Sequence, residues 1–400
     1  MNRKTTLNAL MPALLSILSY GAAAQWSTIA SMGVGPTDGS FSFSLHGKGY
    51  AGSGSSGMHF YMYDTTTNTW TLKGNSPGNK LRAFGLGFTA NDHGYACCGD
   101  STGANDPTND LRMYNDSTNT WTQKASFPGV GRDAQFCFVI NDTVYVGGGF
   151  DGSGGGWNDF YKYNPFTDTW SSLAALPMGA IGFASSFVIG GKGYVCTGQV
   201  GTTESQGLWQ YSPATNTWAT KASLPGIGRQ AGFGFALGNY GYVGGGMSGY
   251  STVYNDVWKY NAATNTWSSI AAYPSAYPAW TTNFTIGNTA YIGTGTYFGT
   301  TVLYGTDSFK RFRGPVTTGV AETESGQGIV LAPNPASDYV HISGEGINDA
   351  AVSLVDMTGR IIRNYGEGIR DLYVGDMPCG LYVVRCVNTT GVFTERLIKR

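Results

Sequence analysis

The chain is short of charge. Only 12% of its 400 residues are Asp, Glu, Lys or Arg, and the formal net charge is −1. So thin a balance gives no basic field for gripping a phosphate backbone, which argues against nucleic acid as a partner. Histidine is scarcer still, four residues in all, so a histidine general base or a His-rich metal centre has little to draw on. The six cysteines show no zinc-site spacing. In an exported chain they permit disulfides without demonstrating them. Cys97 and Cys98 adjoin in an expected strand, where side chains point to opposite faces. Cys379 and Cys386 would stand roughly 20 Å apart along an extended segment. All six read as small buried thiols. Long apolar runs are missing too: the one at residues 1–24 is too short for a membrane span and is interrupted by Pro12. With two leading positive charges and Ala22-x-Ala24 before Gln25, that segment reads as a secretory signal peptide.

What the chain has in quantity is glycine, 60 residues, and aromatics, 14%. These point to a turn-rich all-β protein rather than a disordered one. One octapeptide recurs: YDTTTNTW (63–70), YNDSTNTW (114–121), YNPFTDTW (163–170), YSPATNTW (211–218) and YNAATNTW (260–267). The repeat Trp residues, Trp70, Trp121, Trp170, Trp218 and Trp267, are spaced by 51, 49, 48 and 49, and Trp26 precedes the first by 44. Pro77, Pro128, Pro177, Pro225 and Pro274 each follow a Trp by seven residues. Six Tyr-led, glycine-rich strands keep the same step: GYAGSG, GYACCG, VYVGGG, GYVCTG, GYVGGG and AYIGTG. Each follows a strand such as FGLGF, FCFVI or FGFAL through a hairpin link. A third strand (DFYKY, LWQY, DVWKY) runs through the octapeptide into a fourth that starts at Trp. Four strands per unit and six units describe a six-bladed β-propeller. In the octapeptide, the Asn or Asp before Thr-Trp suits a left-handed conformation, and the turn sets Tyr beside Trp on neighbouring strands. The Trp and Tyr then serve the core rather than a ligand.

The in-phase Trp-x6-Pro, Tyr-x3-Gly and Tyr-x6-Trp patterns over residues 26–312 resemble the kelch family, whose arrays have a period near 50. The family's adjacent Gly pair is relaxed here to Ser53-Gly54, Cys98-Gly99, Thr197-Gly198 and Thr294-Gly295. The sixth unit ends at DSFKR (307–311) with no turn and no Trp. Trp26 therefore supplies the missing outer strand of blade six and closes the ring, removing exposed edges.

Residues 313–328 lack apolar periodicity and read as a linker between a propeller domain (25–312) and a tail (329–400). The tail's alternating strands suggest a small Ig-like β-sandwich. Pro333-Asn334-Pro335, Gly359, Pro378-x-Gly380-x-Tyr382 and the basic end Lys399-Arg400 resemble the C-terminal sorting domain of the type IX secretion system of Bacteroidota. That resemblance implies docking to the secretion machinery and export, with the propeller released or tethered at the surface.

Loops entering the first strand of a blade and loops between its second and third strands emerge on one face. Arg82, Arg132 and Arg229 sit in the first set, Asn109-Asp110, Asn158-Asp159, Asn255-Asp256 and Asp307 in the second. Phe150, Trp157, Tyr250, Tyr297 and Phe298 also belong to the second set, and Trp280 precedes blade six. Aromatics beside amides and carboxylates could stack on sugar rings, and three Arg could clamp a carboxylate. Equally, the Arg and Asp recur in phase and could cap loops. On the first reading, Arg132→Ala should leave the melting temperature nearly unchanged, whereas Trp170→Ala should cost about 3–5 kcal/mol. Carboxylate pairing among Asp100, Asp106, Asp151 and Glu204 is unreadable through glycine-rich loops. DGSGGGWND (151–159) is a weak calcium signal. No cofactor or metal is expected, and no His reaches this face for a copper centre like that of galactose oxidase. The favoured reading is a secreted or surface propeller that binds glycan or protein without catalysis. The alternative is a sugar-modifying enzyme similar to the six-bladed sialic acid epimerases.

Overall fold

The computed structural model describes residues 25–52, 54–101, 105–249, 251–298, 303–314, 329–344, 349–356, 360–388 and 391–400. The expected signal peptide, nearly all of the expected linker, Tyr250 and Gly359 lie outside them, as do the side chains of Tyr297 and Phe298. The chain forms two compact units, residues 1–315 and 316–400.

In the first unit, six four-stranded antiparallel meanders follow one another. Blades one to five occupy residues 42–75, 86–124, 136–172, 185–221 and 230–270. The sixth combines Thr282–Ile286, Thr289–Gly293 and Phe309–Arg313 with Gln25–Ile29, and Trp26 pairs with Phe312. Its last outer strand thus comes from the opposite end of the propeller sequence, and the circle closes without free sheet edges at the seam.

Side-chain size explains why the blades stack. On each innermost strand, buried positions alternate with half-buried ones. The buried Phe stacks on the Tyr of the next strand, as in Phe43–Tyr50, Phe88–Tyr95, Phe187–Tyr194 and Phe284–Tyr291, with ring centroids 5.1–5.2 Å apart. At four of the six seams the following blade meets that Phe with a glycine, and Val144 and Ala290 hold the equivalent position at the other two. A Cβ on Gly94 would lie 2.1 Å from Phe43, and one on Gly193 2.2 Å from Phe138. The Gly-Tyr pairs therefore mark a close approach between blades, not flexibility.

The octapeptide is a clip between blades. Tyr and Trp are cross-strand partners in all five copies. Asn68, Asn119, Asp168, Asn216 and Asn265 all have φ between 52° and 55°. Each accepts a hydrogen bond from its own Tyr hydroxyl, at 2.7–2.9 Å. In three copies the link to the preceding outer strand is reciprocal. Ala30, Ala125 and Ala222 donate their N–H to the Asn or Asp and accept from the Trp indole at 2.7–3.0 Å. Trp26 repeats the indole bond across the seam, to the carbonyl of Ala271 at 3.0 Å. The repeat Trp residues are half-buried covers between blades rather than wholly enclosed core.

The second unit is a two-sheet sandwich. Val330–Ala332, Tyr339–Ser343 and Asp371–Tyr373 form one sheet. Ala351–Asp356, Ile361–Glu367, Gly380–Asn388 and Gly391–Lys399 form the other. Leu331, Val340, Ile342 and Leu372 of the first pack on Val352, Leu354, Val384 and Leu397 of the second. The sorting motif has a structural job here. Asn334 donates to the carbonyl of Arg396 at 2.6 Å and accepts from the N–H of Ile398 at 2.9 Å, fastening Pro333-Asn334-Pro335 to the final strand. The Tyr382 hydroxyl donates to the carbonyl of Pro378 at 3.0 Å.

Candidate functional site at the channel mouth

Thirteen residues after each repeat Trp, fourteen after Trp70, the chain reaches the central axis at Gly39, Phe84, Ala134, Phe183, Ala231 and Trp280. All six have φ between 52° and 60°. Each N–H donates to the carbonyl of the residue before it in the circle, at 2.7–3.0 Å, and Gly39 closes the loop onto Trp280. Five of the six are not glycine, in a region that costs an L-residue about 1–2 kcal/mol. The closed circle of hydrogen bonds holds them there. Small and aromatic residues alternate around it. Phe84, Phe183 and Trp280 converge with centroids 5.4–6.4 Å apart and plug this end of the channel.

Along the channel from the ring, a cavity of about 120 Å³ is bounded by the ring and by Ser40, Gln135 and Thr281, and two more, about 230 and 220 Å³, follow the innermost strands. Among the described residues Ser40 Oγ, Thr281 Oγ1 and both amide atoms of Gln135 find no hydrogen-bond partner, so this stretch of channel is polar.

The three arginines do not line the mouth. Arg82, Arg132 and Arg229 are at most 1% exposed. Each grips the carboxylate 27 or 28 residues on: Arg82 with Asp110 at 2.6 Å, Arg132 with Asp159 and Arg229 with Asp256 at 2.5 Å. Each also donates to the carbonyl of a residue 16 on, namely Cys98, Gly148 and Gly245. Such bidentate pairs with satisfied carbonyls are built to fix two loops together, and a guanidinium so engaged has nothing left for a ligand. The expectation of an Arg clamp for a carboxylate is corrected accordingly. So is the expected indifference of the melting temperature to Arg132→Ala.

Trp157, half-buried, lies 4.7 Å from the Arg132 guanidinium, and its indole donates to Asp151 at 3.2 Å. Asp151 is spent on its own loop, accepting from Ser153 N and Oγ and from Gly155 N at 2.7–2.9 Å. That answers the calcium signal: the turn needs those oxygens. Among the described residues no three His, Cys, Asp or Glu cluster as a metal set. Trp280 is 8% exposed and belongs to the plug. Backbone pairing places Tyr297 and Phe298 in a hairpin strand, Thr296–Phe298, against Leu303–Gly305. Asp307 fastens the start of the propeller sequence to blade six: its carboxylate accepts the N–H of Gly33 and Gly35 at 3.0 and 3.2 Å.

A carboxylate missed by the repeat pattern is Asp133, next to the ring residue Ala134. Burial, and then the nearby Asp100 carboxylate, push its pKa up to about 7. Counted from the sequence, the mouth loops hold ten acidic residues (Asp38, Asp100, Asp106, Asp110, Asp133, Asp151, Asp159, Glu204, Asp256 and Asp307) against Lys80, Arg82, Arg132 and Arg229, a difference of six. With the three arginines neutralised, Lys80 is the remaining base. Phe84 and Phe183 were legible only by counting from Trp; their type varies because the ring is made by main chain.

Comparisons with known proteins agree with this architecture. The KLHDC2/KLHL20/DRC7 Kelch-repeats domain matches residues 88–295, and the secretion system C-terminal sorting domain matches residues 330–400. The protein is thus a repeat propeller carrying an export address, and by that match it belongs to the kelch-repeat family. Among solved structures, "Structure of YjhT" superposes with a TM-score of 0.61 at 18% identity, covering 72% of this chain and 99% of that one. No curated protein matches the sequence. The type IX sorting tail implies a secreted or cell-surface destination and an encounter with the secretion machinery. No helix among the described residues is long and apolar enough to cross a membrane.

Proposed function

We propose that the propeller is a non-catalytic binding module, displayed or released outside the cell, that takes a neutral glycan on the mouth face. The observation that carries this is the charge left once the Arg–Asp pairs are formed. Seven acidic residues are then left in the mouth loops against Lys80; among them Asp106 is exposed and Glu204 half-buried, and the half-buried indole of Trp157 stands in the same set of loops. Hydroxyl groups donate well to carboxylates and sugar faces stack on indoles, whereas an acidic ligand would be repelled. Residues 25–314 on a mixed glycan array should retain neutral oligosaccharides over sialylated ones, and Trp157→Ala should reduce retention at least tenfold. Preference for acidic glycans would overturn the reading.

One observation favours a second reading, a sugar-modifying enzyme. A carboxyl with a pKa of about 7 beside another carboxylate is suited to proton transfer at neutral pH. Turnover of a sugar that is lost in Asp133→Asn, with binding kept, would replace the first reading by the second.

A further inference from the structure

We propose that Cys97 and Cys98 close on each other as a vicinal disulfide in the exported protein, giving blade two an oxidisable dithiol at the foot of the loop over residues 98–110. Neighbours in a strand point apart, which is why the sequence suggests two separate thiols. The structure differs for a local reason. The strand His93–Cys97 ends at Cys97, and Cys98 has φ +60°, the left-handed conformation also taken at the equivalent positions Gly148, Thr197, Gly245 and Thr294 of other blades. That turn rotates the Cys98 side chain back beside Cys97, and the two Sγ atoms stand 3.3 Å apart, both residues fully buried. Bonding needs the sulfurs to close by roughly 1.3 Å, toward an S–S length of about 2.0 Å.

The chain's destination supplies the second condition. A type IX sorting domain sends the protein to an oxidising compartment, where paired thiols do not stay reduced by default. Closing the ring removes one proton from each thiol and two electrons in all. The acceptor is an external disulfide, carried by a thiol–disulfide oxidase or by a small molecule. One thiolate attacks it and releases a thiol; the second thiolate attacks the resulting mixed disulfide and releases the other. Because both sulfurs are buried in the folded blade, exchange belongs to the stage before blade two packs.

The pair also sits where it can be felt. The Cys98 carbonyl accepts from Arg82 at 2.9 Å, and its N–H donates to the Asp110 carbonyl at 3.1 Å, so the Arg82–Asp110 clamp is built on this residue.

The test uses full-length exported protein purified without reductant. It is denatured in N-ethylmaleimide, then reduced, labelled with iodoacetamide and digested. The expected result is a peptide spanning residues 97–98 with iodoacetamide on both cysteines, lighter by two hydrogens than the dithiol when left unreduced. Maleimide on both cysteines would overturn the proposal. So would a crosslink from either to Cys137 or Cys196. Threonine holds the equivalent position at Thr197 and Thr294, so Cys98→Thr should fold and leave Cys97 open to maleimide; Cys97 still protected in that variant would also overturn it.

Discussion

On one rim of the propeller the five octapeptide turns repeat nearly bond for bond; on the other, the loops differ in length and in sequence. The turn rim uses the same Tyr-to-Asn hydrogen bond and left-handed Asn or Asp in every copy, and the same Ala–Trp clip in three. The mouth rim shares its main-chain ring of six, but its loops run from six residues (53–58) to fifteen (294–308). Repetition marks the side where every blade has the same neighbour to hold. Variation marks the side where the scaffold is already closed and loops are free to differ, which is where binding residues collect on rigid scaffolds. The Arg–Asp clamps lie between these extremes. They sit among the mouth loops, in blades two, three and five, yet behave like the turn rim.

The largest expected effect breaks that apparent division of labour. Arg132→Ala strands Asp159 beside a fully buried site and removes the guanidinium from between Phe127 and Trp157. It should cost about 3–4 kcal/mol, the low end for a broken buried pair because Asp159 keeps partial contact with water. Chemical denaturation of residues 25–314 measures it; a loss under about 1 kcal/mol would return Arg132 to the ligand side. Trp170→Ala should cost somewhat less, about 2–3 kcal/mol, since the ring is only partly buried, and the change removes its bond to Ala125 and its contacts with Tyr163 and Phe127. If Trp170→Ala proved the more damaging, the clips and not the clamps would be the main fasteners.

The difference between the rims also decides what could be read in advance. The octapeptide was legible because a turn with a left-handed residue and a paired Trp restricts residue type at each position. The closing role of Trp26 was legible because the sixth unit lacks an outer strand. The ring at Gly39, Phe84, Ala134, Phe183, Ala231 and Trp280 was in phase but disguised, because its bonds are all main chain and its side chains are not constrained to one kind. The arginines show the reverse failure. Charged residues near a mouth suggest recognition, and only burial shows that their charge is already spent. Cys98 was misread because an expected strand was continued one residue past its left-handed end. The sorting tail could be recognised from Pro333-Asn334-Pro335 and Pro378-x-Gly380-x-Tyr382, although the reason for Asn334, its bonds to the last strand, needs the folded sandwich.

Two further effects separate the rims by pH, the first comparable in size to the loss of a clamp and the second the smallest of all. Asp133, at the mouth, has its pKa raised to about 7 by burial and then by Asp100, from the ordinary carboxylate value of 3.8. Between roughly pH 4 and 7 the folded state therefore binds more protons than the unfolded chain, and stability falls as pH rises through that window. Asp133→Asn should remove the fall, melting above the parent at pH 7.5 and level with it at pH 4. A parent whose stability rises steadily from pH 4 to 7, unchanged in slope by the substitution, would contradict the burial of that charge. On the turn rim the sign reverses. His46 bonds Asp116 and Asp92, both at 2.8 Å, and those hydrogen bonds raise its pKa above 6.5, Asp116 contributing most. Its contribution is fully present below the unfolded value of 6.5 and is lost as pH rises through the higher folded value. His46→Asn, which keeps a residue tolerant of φ +49°, should cost well under about 1 kcal/mol, as exposed ion pairs do, and only on the acid side. Equal losses at pH 5.5 and pH 8.5 would mean that His46 acts there through shape and not through charge.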